Sequence, residues 1–424
     1  MMGQWVSVLI LIIFALSCGR PLTTLVAERI EVPAPAGSVV PQVSTMANGN
    51  IVLSWLEPRA DKGYRFRAAI RRAARWADAV TIDDSPYITM FSANLPGVVQ
   101  LPGGAWLAYW ERADAKALNE PYATTIQLAR SVDAGLTWVP LPSPHGDGVS
   151  GMHSFLSAFL AGSELGLVWL DAQKQHHVHT TAISDAGAKD EWLGAVGLRY
   201  ASFAPDGRQK ADTFIDPITC ECCPTAAALT SRGPVVVYRD RVTPPGMRPQ
   251  DIRYETPTVR DISLVRLAGG KWTEPRRVHA DNWVINGCPD NGPAVDANGN
   301  NVVVAWWTRA GDQPKVQVAF SSNAGDGFRE PIRVDNGNAE GQVTVALLGD
   351  RLTAVVGWLE DHKVWARWVD AKGRLGKPLM IGNSPRHSRL PRWVARNGGI
   401  FAVWTAQEGS GARSVRVAAL TVVD

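Results

Sequence analysis

The residues best suited to chemistry lie between 220 and 290. Arg239-Asp240-Arg241 ends a hydrophobic run, and Arg260-Asp261 follows after a loop spanning residues 242–259. Guanidinium and carboxylate groups arranged this way can grip a carboxylate or phosphate through two parallel hydrogen bonds. The same groups can instead close on one another and brace the long loop, and both readings stay open. Tyr254-Glu255 lies in that loop and is a candidate nucleophile pair, with Asp240 as a further catalytic carboxylate. Adjacent strand residues point to opposite faces, which weighs against the Tyr-Glu pair.

Four cysteines, Cys220, Cys222, Cys223 and Cys288, accompany these arginines. An even number in an exported chain reads as two disulfides, with at least one link to Cys288 because a Cys222–Cys223 bridge would be strained. The alternative is a thiolate metal site, although C-x-C-C departs from the C-x2-C spacing usual for zinc. His176-His177-Val-His179 places His177 and His179 on one strand face, where they could hold a metal. Its place at the start of the third unit's outer strands reads better as a solvated strand. No metal and no cofactor is expected. P-loop, HExxH and GxSxG signatures are absent.

These residues must be positioned by a repeat. An apolar run ending in Trp or Tyr recurs seven times, at Trp55, Trp110, Trp169, Tyr238, Trp306, Trp358 and Trp404. The spacings are 55, 59, 69, 68, 52 and 46 residues, a propeller-blade period with variable loops. A Gly- or Asn-rich turn precedes each run, as in PQVSTMANGN before Ile51, which makes a strand–turn–strand unit. An alternating strand and a fourth short strand follow. The pattern predicts an all-β, seven-bladed propeller of four-stranded antiparallel blades, with the six-bladed form as the alternative. The seventh unit ends after three strands, and Glu28–Pro33 supplies a spare strand that would close the ring. The Trp stripe is expected to pack between blades rather than to face a ligand.

Propeller ligands meet the funnel where the inner strands begin. The segments just before those strands hold His153, the Cys220–Cys223 cluster, Cys288 with Asp290 and Asn291, Glu340, and His387 with Arg389. Of these, His153, His387 and Arg389, together with Arg239, Arg241, Arg260 and Asp261, are the expected ligand contacts. Cys223 and Cys288 each precede a proline and an inner strand of neighbouring blades, so they should lie close in space.

The turn Ser131-Val-Asp133-Ala-Gly135-Leu-Thr137-Trp138 matches the Asp-box, S-x-D-x-G-x-T-W, with fainter copies at Ser321–Phe328 and Ser184–Gly187. On these residues the chain resembles the sialidase-like (BNR/Asp-box) propeller superfamily over about residues 25–424. It is similar to exported bacterial proteins labelled exo-α-sialidase, whose C-x-C-C-P-T and N-G-C-P segments correspond to Cys220–Thr225 and Asn286–Pro289. The resemblance implies an acidic glycan held by three arginines, a Tyr–Glu nucleophile pair and an aspartic acid/base. The first-strand arginine is not present, since the strand reads Ser38-Val-Val-Pro41-Gln42. The aspartate has no clear match, with Glu57 and Asp61 nearby.

The 424 residues carry 43 Lys+Arg against 40 Asp+Glu. A near-neutral chain with 46% hydrophobic residues is neither disordered nor a nucleic-acid binder. Val6–Leu16 has the length of a signal-peptide core, and Ala15-Leu-Ser-Cys18 resembles a lipobox. Residues 1–18 are read as a signal and 19–424 as one propeller domain. The expected location is the bacterial periplasm or the outer membrane, by lipidation at Cys18 or by simple cleavage. A monomer acting on a glycan or small anion is expected. Three functions remain in play: a sialidase-like glycoside hydrolase, a non-catalytic binding propeller, and a metal- or thiol-handling protein.

Overall fold

The computed structural model of the chain describes residues 23–88, 95–115, 123–146, 150–172, 176–180, 189–193, 196–248, 251–252, 256–385, 391–396, 398–407, 409 and 411–423. Seven antiparallel sheets follow one another around a ring. Their inner strands are Val39–Thr45, Gly97–Gln100, His153–Ala161, Ala226–Thr230, Ala294–Asn298, Ala339–Leu347 and Arg392–Arg396. Each pairs with a second strand that carries the repeated aromatic residue, and two further strands lie outside it, the outermost split into two short pieces in blades 1 and 4. Blade 7 is completed by Thr24–Ile30, which pairs with Ser414–Val423. The closing strand thus runs a few residues earlier than the sequence pattern places it. Pairing it removes the open edge that blade 7 would otherwise present.

Seven apolar clusters fill the ring, one in each gap between adjacent blades. Trp55, Trp169, Tyr238, Trp306 and Trp358 are fully buried within them. Each aromatic sits there because the second strand has neighbours on both faces, so both faces must be apolar. Three of the repeated aromatics also tie one blade to the next. Trp110 Nε1 donates to Asp83 at 2.6 Å, Tyr238 Oη to Asp216 at 2.6 Å and Trp306 Nε1 to Asp281 at 2.7 Å. In each case the carboxylate ends the outer edge of the preceding blade. The Trp stripe is therefore structural, as the repeat implies.

The turn after Thr124–Ser131 is closed from within. Asp133 accepts the Thr137 N–H at 2.9 Å and the Thr137 hydroxyl at 2.6 Å, and Ser131 Oγ accepts the Gly135 N–H at 2.9 Å. Ser321 and Asn323 repeat that pattern in blade 5. The third turn, Ser184–Gly187, lies outside the described residues. His176–Thr180 does not begin the outer strands of blade 3, contrary to the expectation. It pairs with Lys189–Leu193 as a separate hairpin between the blade's second and third strands. The third strand is Gly197–Phe203, whose unbroken burial outcompetes the polar His-rich segment for the sheet. Residues 1–22, including the signal segment and Cys18, also lie outside the described residues. Among the described residues no helix is long and apolar enough to cross a membrane.

Candidate functional site

Blade 4 places its arginines at the end of the second strand, Gly233–Arg239, and just before the third, Ile262–Ala268. A two-stranded pairing of Thr258–Val259 with Val284–Ile285 docks the Cys288 loop beside them. Arg239, Arg241, Arg260 and Asp261 are all buried, each no more than 1% exposed. Arg239 donates to three backbone carbonyls, those of Asn291 at 2.9 Å, Arg260 at 2.6 Å and Trp307 at 2.7 Å. It thereby ties blade 4 to blade 5. Arg241 and Arg260 share the carboxylate of Glu221, the Arg260 contact being 2.9 Å. Asp261 accepts the Asn282 and Trp283 N–H groups at 3.1 Å. Asp240 accepts the Ser263 hydroxyl at 2.7 Å. Burial and the charge of Asp216 push Asp240 up to about 6. The partners of these groups among the described residues are thus internal.

The two Cys-Pro segments meet as their positions suggest. A Cβ on Gly292 would lie 2.0 Å from the Pro224 carbonyl oxygen, so only glycine permits this approach. Cys222 and Cys288 form a disulfide across 66 residues, with a Cα–Cα distance of 6.1 Å. The expectation of two disulfides is corrected to one. Cys220 and Cys223 are buried thiols with their sulfurs 3.2 Å apart. Arg260 Nη1 donates to Cys220 Sγ at 3.0 Å. Burial pushes Cys220 up, but the Cys223 thiol and the Arg260 charge outweigh it and bring it down to about 7. Burial and the neighbouring Cys220 hold Cys223 well above its ordinary value.

The other expected contacts are dispersed. His153 is buried, stacks on His145 at 3.7 Å and lies 3.3 Å from Asp171. Asn291 bonds the Pro289 and Glu340 carbonyls and accepts the Gln342 N–H. Gln342 Nε2 donates to the carbonyl of Asp290. Glu340 pairs with His362 at 3.2 Å. Glu57 lies 3.9 Å from Arg67, and Asp61 is 2.9 Å from Arg59. Tyr254, Glu255, His387 and Arg389 lie outside the described residues.

The central channel contains a group that the motif search passes over. In every blade one inner-strand residue pairs with the residue just before the repeated aromatic. These seven are Gln42, Gly97, Ser157, Ala226, Ala294, Thr344 and Arg392. They form one layer around the axis, and six of them are small or neutral. Tyr109 joins the layer because Gly97 opposite it has no side chain, and a Cβ there would meet the phenol oxygen at 2.3 Å. The layer lines a cavity of about 200 Å³, with Trp393 in its wall. Arg392 is the one charged side chain that lines it among the described residues. Its Nε is buried and has no hydrogen-bond partner among the described residues. Burial pulls the Arg392 guanidinium down to about 10, against the favourable effect of Tyr109. Tyr109 is pushed up to about 12 by burial.

Comparison with known proteins gives a likeness of fold. No family model and no curated protein matches the chain. An α-L-arabinanase from Penicillium chrysogenum complexed with arabinobiose superposes with a TM-score of 0.51 at 12% identity, covering 95% of this chain and 98% of that one. The polysaccharide lyase Uly1 gives 0.51 at 11% identity, covering 93% and 91%. The NanB sialidase from Streptococcus pneumoniae gives 0.44 at 8% identity, covering 91% and 68%. The chain is a seven-bladed β-propeller. The propeller fold is shared with glycoside hydrolases and polysaccharide lyases at low sequence identity.

Proposed function

We propose that the protein is an exported, glycan-directed propeller that takes the carboxylate of an acidic sugar terminus into its central channel, with Arg392 as the anion's partner. The observation that carries this reading is Arg392 itself. A half-buried cation whose Nε finds no partner among the described residues carries an unmet desolvation cost, and six small or neutral residues surround it in the layer. Such a charge is retained where a ligand completes it. Trp393 and Tyr109 add flat apolar surface suited to a sugar ring. The cavity of about 200 Å³ is smaller than the ~300–1,000 Å³ of sites for drug-sized ligands. That size favours one terminal ring over an extended chain. The neighbours named as an arabinanase and a polysaccharide lyase support a saccharide as the ligand class. An exo-acting hydrolase is the enzymatic form of this reading, with a sialoside as first substrate because of the Ser131–Trp138 turn.

The test is calorimetric titration of the wild type and Arg392→Gln with N-acetylneuraminate and galacturonate, alongside a fluorogenic sialoside and a uronide. Losing a charge-assisted pair worth ~1.5–3 kcal/mol weakens binding about 10- to 100-fold. The proposal fails if neither acid binds the wild type, or if Arg392→Gln binds as tightly.

A further inference from the structure

The Cys220–Cys288 centre is not used by that reading. Three cysteine sulfurs, Cys220, Cys222 and Cys223, lie 3.2, 3.9 and 4.0 Å from one another. Cys288 is bonded to Cys222 and completes the group. Around it stand Arg239, Arg241 and Arg260, with the single carboxylate of Glu221. We infer that reduction of the Cys222–Cys288 disulfide completes a four-thiolate site, formed by Cys220, Cys222, Cys223 and Cys288, for one divalent cation of the zinc class.

Three observations lead there. First, the spacing fits. Four sulfurs held about 2.3 Å from a tetrahedral ion lie about 3.8 Å apart, and two of the three sulfur separations, at 3.9 and 4.0 Å, fall close to this value while the third must open from 3.2 Å. Cys220 and Cys223 also supply a C-x2-C spacing that the overlapping C-x-C-C run hides.

Second, the charge balances. Three guanidinium groups less one carboxylate leave two positive charges. A divalent ion with four thiolates carries two negative charges. A monovalent ion would leave three. One disulfide and two neutral thiols leave two of the three buried arginine charges beyond what Glu221 compensates, at a cost of several kcal/mol.

Third, a buried donor awaits an acceptor. Arg260 is fully buried, its Nη1 already points at Cys220 Sγ, and its Nη2 has no hydrogen-bond partner among the described residues. Thiolate sulfurs accept such bonds, and donors of this kind orient and tune metal ligands.

The disulfide then acts as the gate. Cys222 and Cys288 are half-buried, whereas Cys220 and Cys223 are buried, so a reductant reaches the bridge first. An external dithiol supplies two electrons and two protons. The Cys222–Cys288 bond breaks, two thiols form, and the dithiol leaves as a disulfide. Binding the ion displaces the thiol protons to solvent.

The full chain is reduced under anaerobic conditions, freed of reductant and titrated with Cd(II), whose thiolate charge-transfer absorption reports sulfur ligation. Bound Zn(II) is counted in parallel by mass spectrometry. One equivalent is expected in the reduced protein and less than about 0.1 in the air-oxidised protein. Cys288→Ser, compared with reduced wild type of matched circular dichroism, should bind at least tenfold more weakly. Arg260→Gln keeps all four sulfurs and should also lose affinity. The inference is overturned if reduced protein with four titratable thiols binds no ion. It is equally overturned if oxidised protein binds as well, or if Cys288→Ser retains wild-type affinity.

Discussion

Replacing Arg392 with methionine should stabilise the protein while removing acidic-sugar binding. The side chain lines the channel, and its Nε has no partner among the described residues. A guanidinium held at about 10, well below its ordinary range, carries an unfavourable burial term on the order of 3 kcal/mol. The folded value lies below the unfolded one. The penalty is therefore fully present below pH ~10 and is relieved only as pH rises beyond it. The channel leaves part of the side chain in contact with water, so the recoverable gain is about 1–2 kcal/mol. Methionine has a similar unbranched stem and fills irregular space. With an unfolding entropy of about 2.1 cal/mol/K per residue, a chain of this size has about 0.85 kcal/mol/K in total. The expected rise in Tm is then about 1–3 °C. Differential scanning calorimetry at pH 7 measures it, and titration with galacturonate or N-acetylneuraminate measures the binding. A fall in Tm of 2 °C or more would refute the reasoning, because it would show that Arg392 is a structural tie.

Two further outcomes test other parts of the structure. Asp240 and Asp296 are each pushed up to about 6, in both cases by burial first. A raised carboxyl contributes stability that is present below about pH 4 and lost as pH rises through 6, so each costs about 2–3 kcal/mol at neutral pH. Urea unfolding of Asp296→Asn should show a flatter profile between pH 4 and 6.5 than wild type, and an unchanged profile would count against it. Trp306→Phe removes the Nε1 tie to Asp281 in the gap between blades 4 and 5, whereas Trp393 Nε1 has no partner to lose. Trp306→Phe should cost about 1 kcal/mol more than Trp393→Phe by chemical denaturation, and equal losses would refute the tie.

The ring was legible because a propeller writes its architecture into a repeat. Each second strand must be apolar on both faces and must end in an aromatic residue that fills the next gap, so Trp55, Trp169, Trp306 and Trp358 mark the blades directly. The missing fourth strand of the last unit likewise pointed to N-terminal closure. What the sequence hid is pairing. Glu221 occupies the variable position of C-x-C-C, and nothing in the chain announces that it bridges Arg241 and Arg260. The His176–Thr180 hairpin was misplaced because alternation marks a strand without saying which sheet it joins.

Arg392 shows where such reading could have gone further. Clusters of charged residues stand out in a sequence, and Arg392 has no charged partner lining the same cavity among the described residues. Yet the repeat already holds the information. Stepping one residue back from each aromatic, and across to the inner strand at constant register, yields Gln42, Gly97, Ser157, Ala226, Ala294, Thr344 and Arg392. In a channel built from seven equivalent positions, isolation is the signal. A clustered arginine such as Arg239 satisfies itself on nearby carbonyls and holds blades together. An arginine alone among small neutral residues has its burial cost unmet by the fold, and a ligand's negative charge is what would meet it.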